Sequence, residues 1–312
     1  MVVAMCANPC VDRTVTIEQF TYGGMNRIQD IREDGSGKGV NVALACAQLG
    51  MEAACIGFMA VHRGETVTNR LKNGGCQVDF VPTDGSVRVN TKILDQTTGI
   101  VTELNESGNP VTAAQIRALI DTTLRWAAKC DYLVLTGSLP PGCSDDFYYT
   151  VLTLVRKVAP ACHVVLDAEG PRFAKALQAK PFLIKPNRYE LELLCGRALP
   201  TLEDIHTEAQ RLVEEGVAIV LVSLGSEGAY ITDERQSFFA PVVPVDVRST
   251  VGAGDSMVGG MLLGLSQGWA LEEAFRFGVA AATSSVTTVG TQLINVSAFR
   301  EFIAKVETRR VP

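Results

Sequence analysis

Ser249-Thr250-Val251-Gly252-Ala253-Gly254-Asp255-Ser256 is the stretch on which the reading of this chain turns. Two glycines, two apart, precede a single acidic residue, and a run of small and apolar residues follows from 257 to 265. The pattern predicts a tight turn that opens into a buried helix. Such a turn aims main-chain N–H groups at one point, and the helix N-terminus adds positive partial charge there. An anion fits that point, with the Asp255 carboxylate beside it. Like charges repel, so a carboxylate at an anion site makes little sense for binding alone. It makes sense if Asp255 takes a proton from a hydroxyl as that hydroxyl attacks a phosphoryl group. The ordinary alternative is a strand-to-helix turn with Asp as N-cap. The polar Ser-Thr lead and the apolar helix weigh against it.

Outward from the octet, short apolar runs at 2–7, 53–58, 132–136, 164–167, 182–185 and 217–224 read as buried strands. Amphipathic segments at 40–49, 113–128, 147–158 and 202–215 lie between them. Strand alternating with helix predicts an α/β fold with a mainly parallel sheet, whose ligands bind beyond the carboxyl ends of the strands. Two segments, 14–32 and 87–104, alternate instead as exposed strands do, the second with a turn at Gln96–Gly99. They form either a small separate sheet, which would act as a lid, or an extension of the main one.

The chain has 312 residues, 47% hydrophobic and 20% charged, enough to bury a large core. A net charge of −6 gives no basic surface for nucleic acid or for an anionic membrane, so any anionic ligand must be held by local groups. Nine cysteines without a C-x-x-C pair, no leader-like N-terminus and no long apolar run predict a reduced, cytoplasmic protein without a membrane span. Three scattered histidines argue against zinc chemistry and against a Ser-His-Asp hydrolase.

Further motifs stand at predicted strand ends. Gly35-Ser36-Gly37-Lys38-Gly39-Val40-Asn41 is a glycine-rich loop entering a helix. It satisfies neither the P-loop pattern nor the dinucleotide G-x-G-x-x-G pattern. Its glycines allow close backbone approach to a polar ligand, while Lys38 and Asn41 offer donors; a plain surface loop is the alternative. Asp12, after the first strand, can accept from sugar hydroxyls or serve as a turn residue. Arg88, Asn90 and Lys92 share one face of a strand by its two-residue period, facing a phosphate or solvent. Asn187 and Glu190, three apart, suit Mg²⁺ held through water, or a helix capping box, or both. Ser223-Leu224-Gly225-Ser226-Glu227-Gly228 either packs on a nucleotide or makes a hairpin turn.

In chain order these residues resemble the ribokinase/PfkB family of carbohydrate kinases. Gly252-Ala253-Gly254-Asp255-Ser256 is similar to its C-terminal signature and the segment from Gly35 to Ala43 to its N-terminal one. Asn8-Pro9, Asp12, the strand from Arg88 to Lys92, Gly137-Ser138-Leu139-Pro140-Pro141-Gly142 and the segment from Lys185 to Leu191 resemble the sugar-phosphate kinase branch. Gly24-Met25-Asn26-Arg27 and the run from Cys195 to Pro200 point within it to kinases of fructose 1-phosphate, with those of tagatose 6-phosphate and fructose 6-phosphate as neighbours. Ser36 departs from the family's glycine or alanine and would be strained if that position needs a positive φ.

The resemblance implies a ribokinase-like three-layer α/β/α sandwich, one domain over 1–312, with a small β-sheet lid contributed by about 13–33 and 86–106. It implies ATP and Mg²⁺, a sugar phosphate as the other substrate, and a homodimer through the lid. Asp255 would deprotonate the C6 hydroxyl of fructose 1-phosphate, with Gly252, Ala253 and Gly254 as the anion hole for the moving phosphoryl. Asp12, Gly37 and Asn41 would hold sugar hydroxyls, and Lys38, Arg88, Arg27, Asn90, Lys92 and Ser138 the end that already carries phosphate. Lys185, Asn187, Thr250, Gly254 and the stretch from Ser223 to Gly228 would serve the nucleotide, and Asn187 with Glu190 the metal, through water. A sugar-phosphate sensor without catalysis is a competing class, disfavoured by the intact Gly252–Asp255 stretch. A nicotinamide dehydrogenase is another, disfavoured by the failed dinucleotide pattern.

Overall fold

The computed structural model describes residues 1–288 and 292–312. The apolar runs become strands of one ten-stranded sheet: β1 (Val2–Cys6), β4 (Ala53–His62), β5 (Gln77–Ser86), β8 (Tyr132–Thr136), β9 (His163–Asp167), β10 (Leu183–Ile184), β11 (Ile219–Ser223), β12 (Gly228–Thr232), β13 (Ser237–Pro241) and β14 (Arg309–Val311), in the spatial order 14-13-12-11-10-9-8-1-4-5. From β5 to β11 every pairing is parallel, and the last three strands add an antiparallel edge.

Alternation along β1 divides the core. Val2, Ala4 and Cys6 face one apolar layer, and Val3 and Met5 face the other. The first layer is built from α1 (Lys38–Gln48), α2 (Gly64–Asn73), α8 (Ala253–Ser266), α9 (Leu271–Val286) and α10 (Val296–Ile303). The second is built from α3 (Ala113–Ala127), α4 (Phe147–Val158), α5 (Gly170–Leu177), α6 (Arg188–Cys195) and α7 (Leu202–Glu214). Both faces of the sheet are covered, which gives the expected three-layer sandwich.

The alternating segments form a separate four-stranded sheet rather than extending the main one. Its order is β3-β2-β6-β7, with β2 (Cys10–Ile17) and β6 (Arg88–Asp95) parallel at the centre and β3 (Asp30–Ser36) and β7 (Val101–Asn105) antiparallel at the edges. Only three residues separate β1 from β2, so Asp12 lies in a strand and not in a turn. Strand β3 runs straight into Gly37, whose φ of 132° makes the break before α1. Ser36 is extended and carries no positive φ; Gly37 takes the strained conformation beside it. The sequence reading passed over β5, β13 and β14. Strand β5 is half-exposed and carries Pro82 and Gly85, which blurs its period.

Candidate functional site

The strands β1, β8, β9, β10 and β11 end at one edge of the sheet, where Asn8, Ser138, Asp167, Lys185 and Ser223 follow or close them. Three adjoining cavities lie along that edge, and residues of the four-stranded sheet line two of them. The central one, about 450 Å³, is lined by Asp12, Gly37, Lys38, Asn41, Lys92, Lys185, Asn187, Glu190, Gly252, Gly254 and Asp255. Arg88, Asn90 and Lys38 also line a polar cavity of about 550 Å³ that reaches Ser138. Asn187, Ser223 and Gly254 also line an apolar cavity of about 540 Å³, walled by Val243, Val245, Met257 and Val279 and reached by Gly225, Ser226, Gly228, Thr250 and Ala253. Residues nearly 250 positions apart thus share one cleft.

Three expected residues stay outside it. Arg27 lies on the exposed loop between β2 and β3 and lines none of the three cavities. Leu224 turns its side chain into the second apolar layer. Glu227 pairs with Arg188, at 2.7 and 2.8 Å, on the surface.

At the heart of the cleft, Gly252 holds φ at 78°, a left-handed conformation that glycine takes without strain, and α8 starts from it. The N–H of Ala253 is taken by Thr250 O at 3.3 Å, whereas that of Gly254 has no carbonyl partner among the described residues. Gly254 lines the cavity in the first turn of α8, where main-chain N–H groups lack helical partners. A side chain on Gly254 would meet Lys185 Nζ at 3.0 Å, so the missing Cβ lets the ammonium approach the start of the helix.

Asp255 is 5% exposed, and Asn41 Nδ2 donates to its Oδ2 at 2.9 Å. Burial first, and then the neighbouring Asp167 charge, push its pKa up to about 6, against Lys38, the Asn41 hydrogen bond and Lys185. Asp167 itself escaped the sequence reading. It closes β9, and its Oδ1 lies 3.4 Å from both Lys38 Nζ and Lys185 Nζ. Burial works to raise it, yet the two lysines hold it below the ordinary carboxylate range. The signal available was a carboxylate ending a parallel strand, the position where such sheets bind ligands. The same Asp167 charge raises Lys38 above its ordinary range.

On the four-stranded sheet, Lys92 Nζ lies 3.4 Å from Asp12 Oδ2, and Asn90 Nδ2 donates to Asp12 Oδ1 at 3.4 Å. Asn187 and Glu190 form a reciprocal capping box: Asn187 N donates to Glu190 Oε2 and Glu190 N to Asn187 Oδ1, each at 2.8 Å. The second Glu190 oxygen is left to the cavity, and burial raises its pKa. No group of three or more acidic, histidine or cysteine side chains arranged for a metal occurs among the described residues.

The model for "pfkB family carbohydrate kinase" matches residues 5–298. Among curated proteins, 1-phosphofructokinase of Bacillus subtilis (strain 168) is 34% identical over 94% of this chain and 95% of its own. The protein of that name from Vibrio cholerae serotype O1 is 35% identical over 94% and 91%. Among solved structures, phosphofructokinase-2 from Escherichia coli in complex with fructose-6-phosphate superposes with a TM-score of 0.90 at 29% identity, covering 98% of each chain.

Proposed function

The chain belongs to the pfkB family of carbohydrate kinases, and from that premise we propose that it transfers the γ-phosphoryl of ATP to the C6 hydroxyl of fructose 1-phosphate, forming fructose 1,6-bisphosphate. The observation that carries this reading is the position of Asp255. It sits at a helix N-terminus in the cavity that joins a cationic pocket to an apolar one. The cationic side suits a sugar phosphate, the apolar side suits a purine, and the phosphates between them meet Gly254, Lys38 and Lys185.

In this reading the acceptor hydroxyl gives its proton to Asp255 as its oxygen attacks the γ-phosphorus, and the bond to the bridging oxygen of ADP breaks. Asn41 holds the carboxylate in place. Gly252, Gly254 and the lysines stabilise charge on the moving phosphoryl, with Ala253 fixing the turn. Asp12, Gly37, Asn90 and Lys92 position the sugar; Lys38 and Ser138 take its phosphate, in a pocket that Arg88 braces. Asn187, Ser223, Gly225, Ser226, Gly228 and Thr250 line the nucleotide. Glu190, with one oxygen in the capping box and one facing the cavity, and Asn187 fit an ion that keeps most of its waters, as Mg²⁺ does. When bound with ATP, that ion neutralises phosphate charge.

The small sheet closes the cleft as a lid in this reading, and its outer surface joins two copies of the chain. Tyr22, Met25, Ile28, Ile31 and Leu104 are exposed on the sheet and its loop, Tyr22 at 96% and Met25 at 84%. Apolar groups clustered in this way mark a contact surface. No helix among the described residues is long and apolar enough to cross a membrane, and all nine cysteines are free thiols, which agrees with a cytoplasmic enzyme.

ADP release with fructose 1-phosphate, tagatose 6-phosphate and fructose 6-phosphate tests the proposal. Fructose 1-phosphate should give the highest kcat/KM. Fructose 6-phosphate is the second reading, favoured by the solved structure that holds it. Absence of ADP release with all three would overturn the kinase reading.

A further inference from the structure

We infer that Arg172 is a specificity-determining residue of the acceptor site, supplying a guanidinium to the phosphate that the acceptor already carries; the inference rests on the sugar-phosphate kinase reading. Arg172 stands in the first turn of α5 and lines the polar cavity together with Lys38, Arg88 and Asn90. That cavity has the volume for a phosphate and part of a sugar.

The commitments of the other cations set Arg172 apart. Nε and Nη2 of Arg88 both donate to Asn8 O at 3.1 Å, and Nη1 donates to Asn90 Oδ1 at 3.1 Å and Glu106 O at 2.9 Å. Nη2 also reaches Ser138 Oγ at 3.5 Å. Arg88 is thus a brace between the turn after β1, its own strand β6 and the loop after β7, with few donors to spare. Lys38 faces Asp167. By contrast, Nε of Arg172 is buried and makes no hydrogen bond among the described residues. Its ion pair is a long one, 3.9 Å to Asp145, whose side chain is largely exposed.

Of the two carboxylates that line that cavity, Glu106 is engaged and Glu169 is exposed to solvent. Glu106 accepts from Val89 N at 2.8 Å. A buried guanidinium nitrogen without an acceptor is costly. Nε itself is closed off, but the rest of the planar fork belongs to the cavity lining and suits two oxygens of a phosphate there. Arg172 therefore favours an acceptor whose phosphate lies at the end away from the hydroxyl that Asp255 serves.

Kinetics on Arg172→Ala and Arg172→Lys in the full chain test this. The alanine variant should raise the KM for fructose 1-phosphate by about ten- to a hundredfold, with lysine between it and the native protein. The kcat and the KM for ATP should stay within about twofold. A second measurement on the unmodified protein avoids dependence on folding of the variants. An arginine-directed dicarbonyl should label Arg172 in the free protein, located by peptide mass spectrometry. Fructose 1-phosphate should protect it and ATP should not. An unchanged acceptor KM, a parallel fall in kcat with a raised KM for ATP, or labelling indifferent to fructose 1-phosphate would each overturn the assignment. Native protein inactive on every ketose phosphate would instead sink the kinase reading itself.

Discussion

Asp255 and Asp167 are two buried carboxylates that their surroundings drive apart. Two lysines keep Asp167 ionised, while burial and the charge of Asp167 lift Asp255 to about 6. A base must be deprotonated to act, so kcat/KM should be level above that value and fall as pH drops through about 6. A pH–rate profile with no acidic limb near there would remove Asp255 from the role. Asp255→Asn should cut turnover by about 10²–10⁴-fold while leaving fructose 1-phosphate binding by calorimetry nearly intact. The same substitution should stabilise the fold. The folded pKa lies above the ordinary 3.8, so the ionised group is a penalty that is absent below 3.8, grows between there and about 6, and is complete at higher pH. Removing it should raise the melting temperature at pH 7.5, by the equivalent of about 1–3 kcal/mol, and the gain should shrink toward pH 4. Asp255 was legible because glycines and an apolar run frame it. Asp167 was not, because nothing nearby in sequence announces the two lysines that give it meaning.

At the scale of elements, α8 can aim its N-terminus into the cleft only because it packs closely on its neighbours. A Cβ on Gly260 would lie 2.4 Å from Phe277 O of α9, and one on Gly259 would lie 2.9 Å from Ala45 Cβ of α1. Gly260→Ala should therefore destabilise by about 1–3 kcal/mol through overpacking, read from the urea midpoint at constant slope. An unchanged midpoint would mean that α8 has room to shift. The parallel strands were legible as continuous apolar runs, since both of their faces are buried. Strands β13 and β14 and the short helix α5 were not. They are short, and their period is too brief to separate from a loop.

At the scale of the whole molecule, the four-stranded sheet has an inner face in the cleft and apolar groups left outside. Sedimentation should find a dimer, and Ile31→Glu with Leu104→Glu should convert it to a monomer of unchanged far-UV dichroism. A native monomer at micromolar concentration would end the proposal. What the sequence determined by itself was local: the strand and helix periods, the tight turn at Gly252-Ala253-Gly254, the carboxylate after it, and the glycine-rich loop entering α1. Those follow from backbone sterics and the burial pattern within a few residues. Only the tertiary structure decided that Asn41 would hold Asp255, that Lys38 and Lys185 would share Asp167, that Arg88 would be spent as a brace and Arg172 left with one long ion pair, and that Arg27 would stay outside the cleft. Each of those depends on distance between residues far apart in the chain, and a side chain's charge gains its function from the partners that the fold brings within a few ångströms.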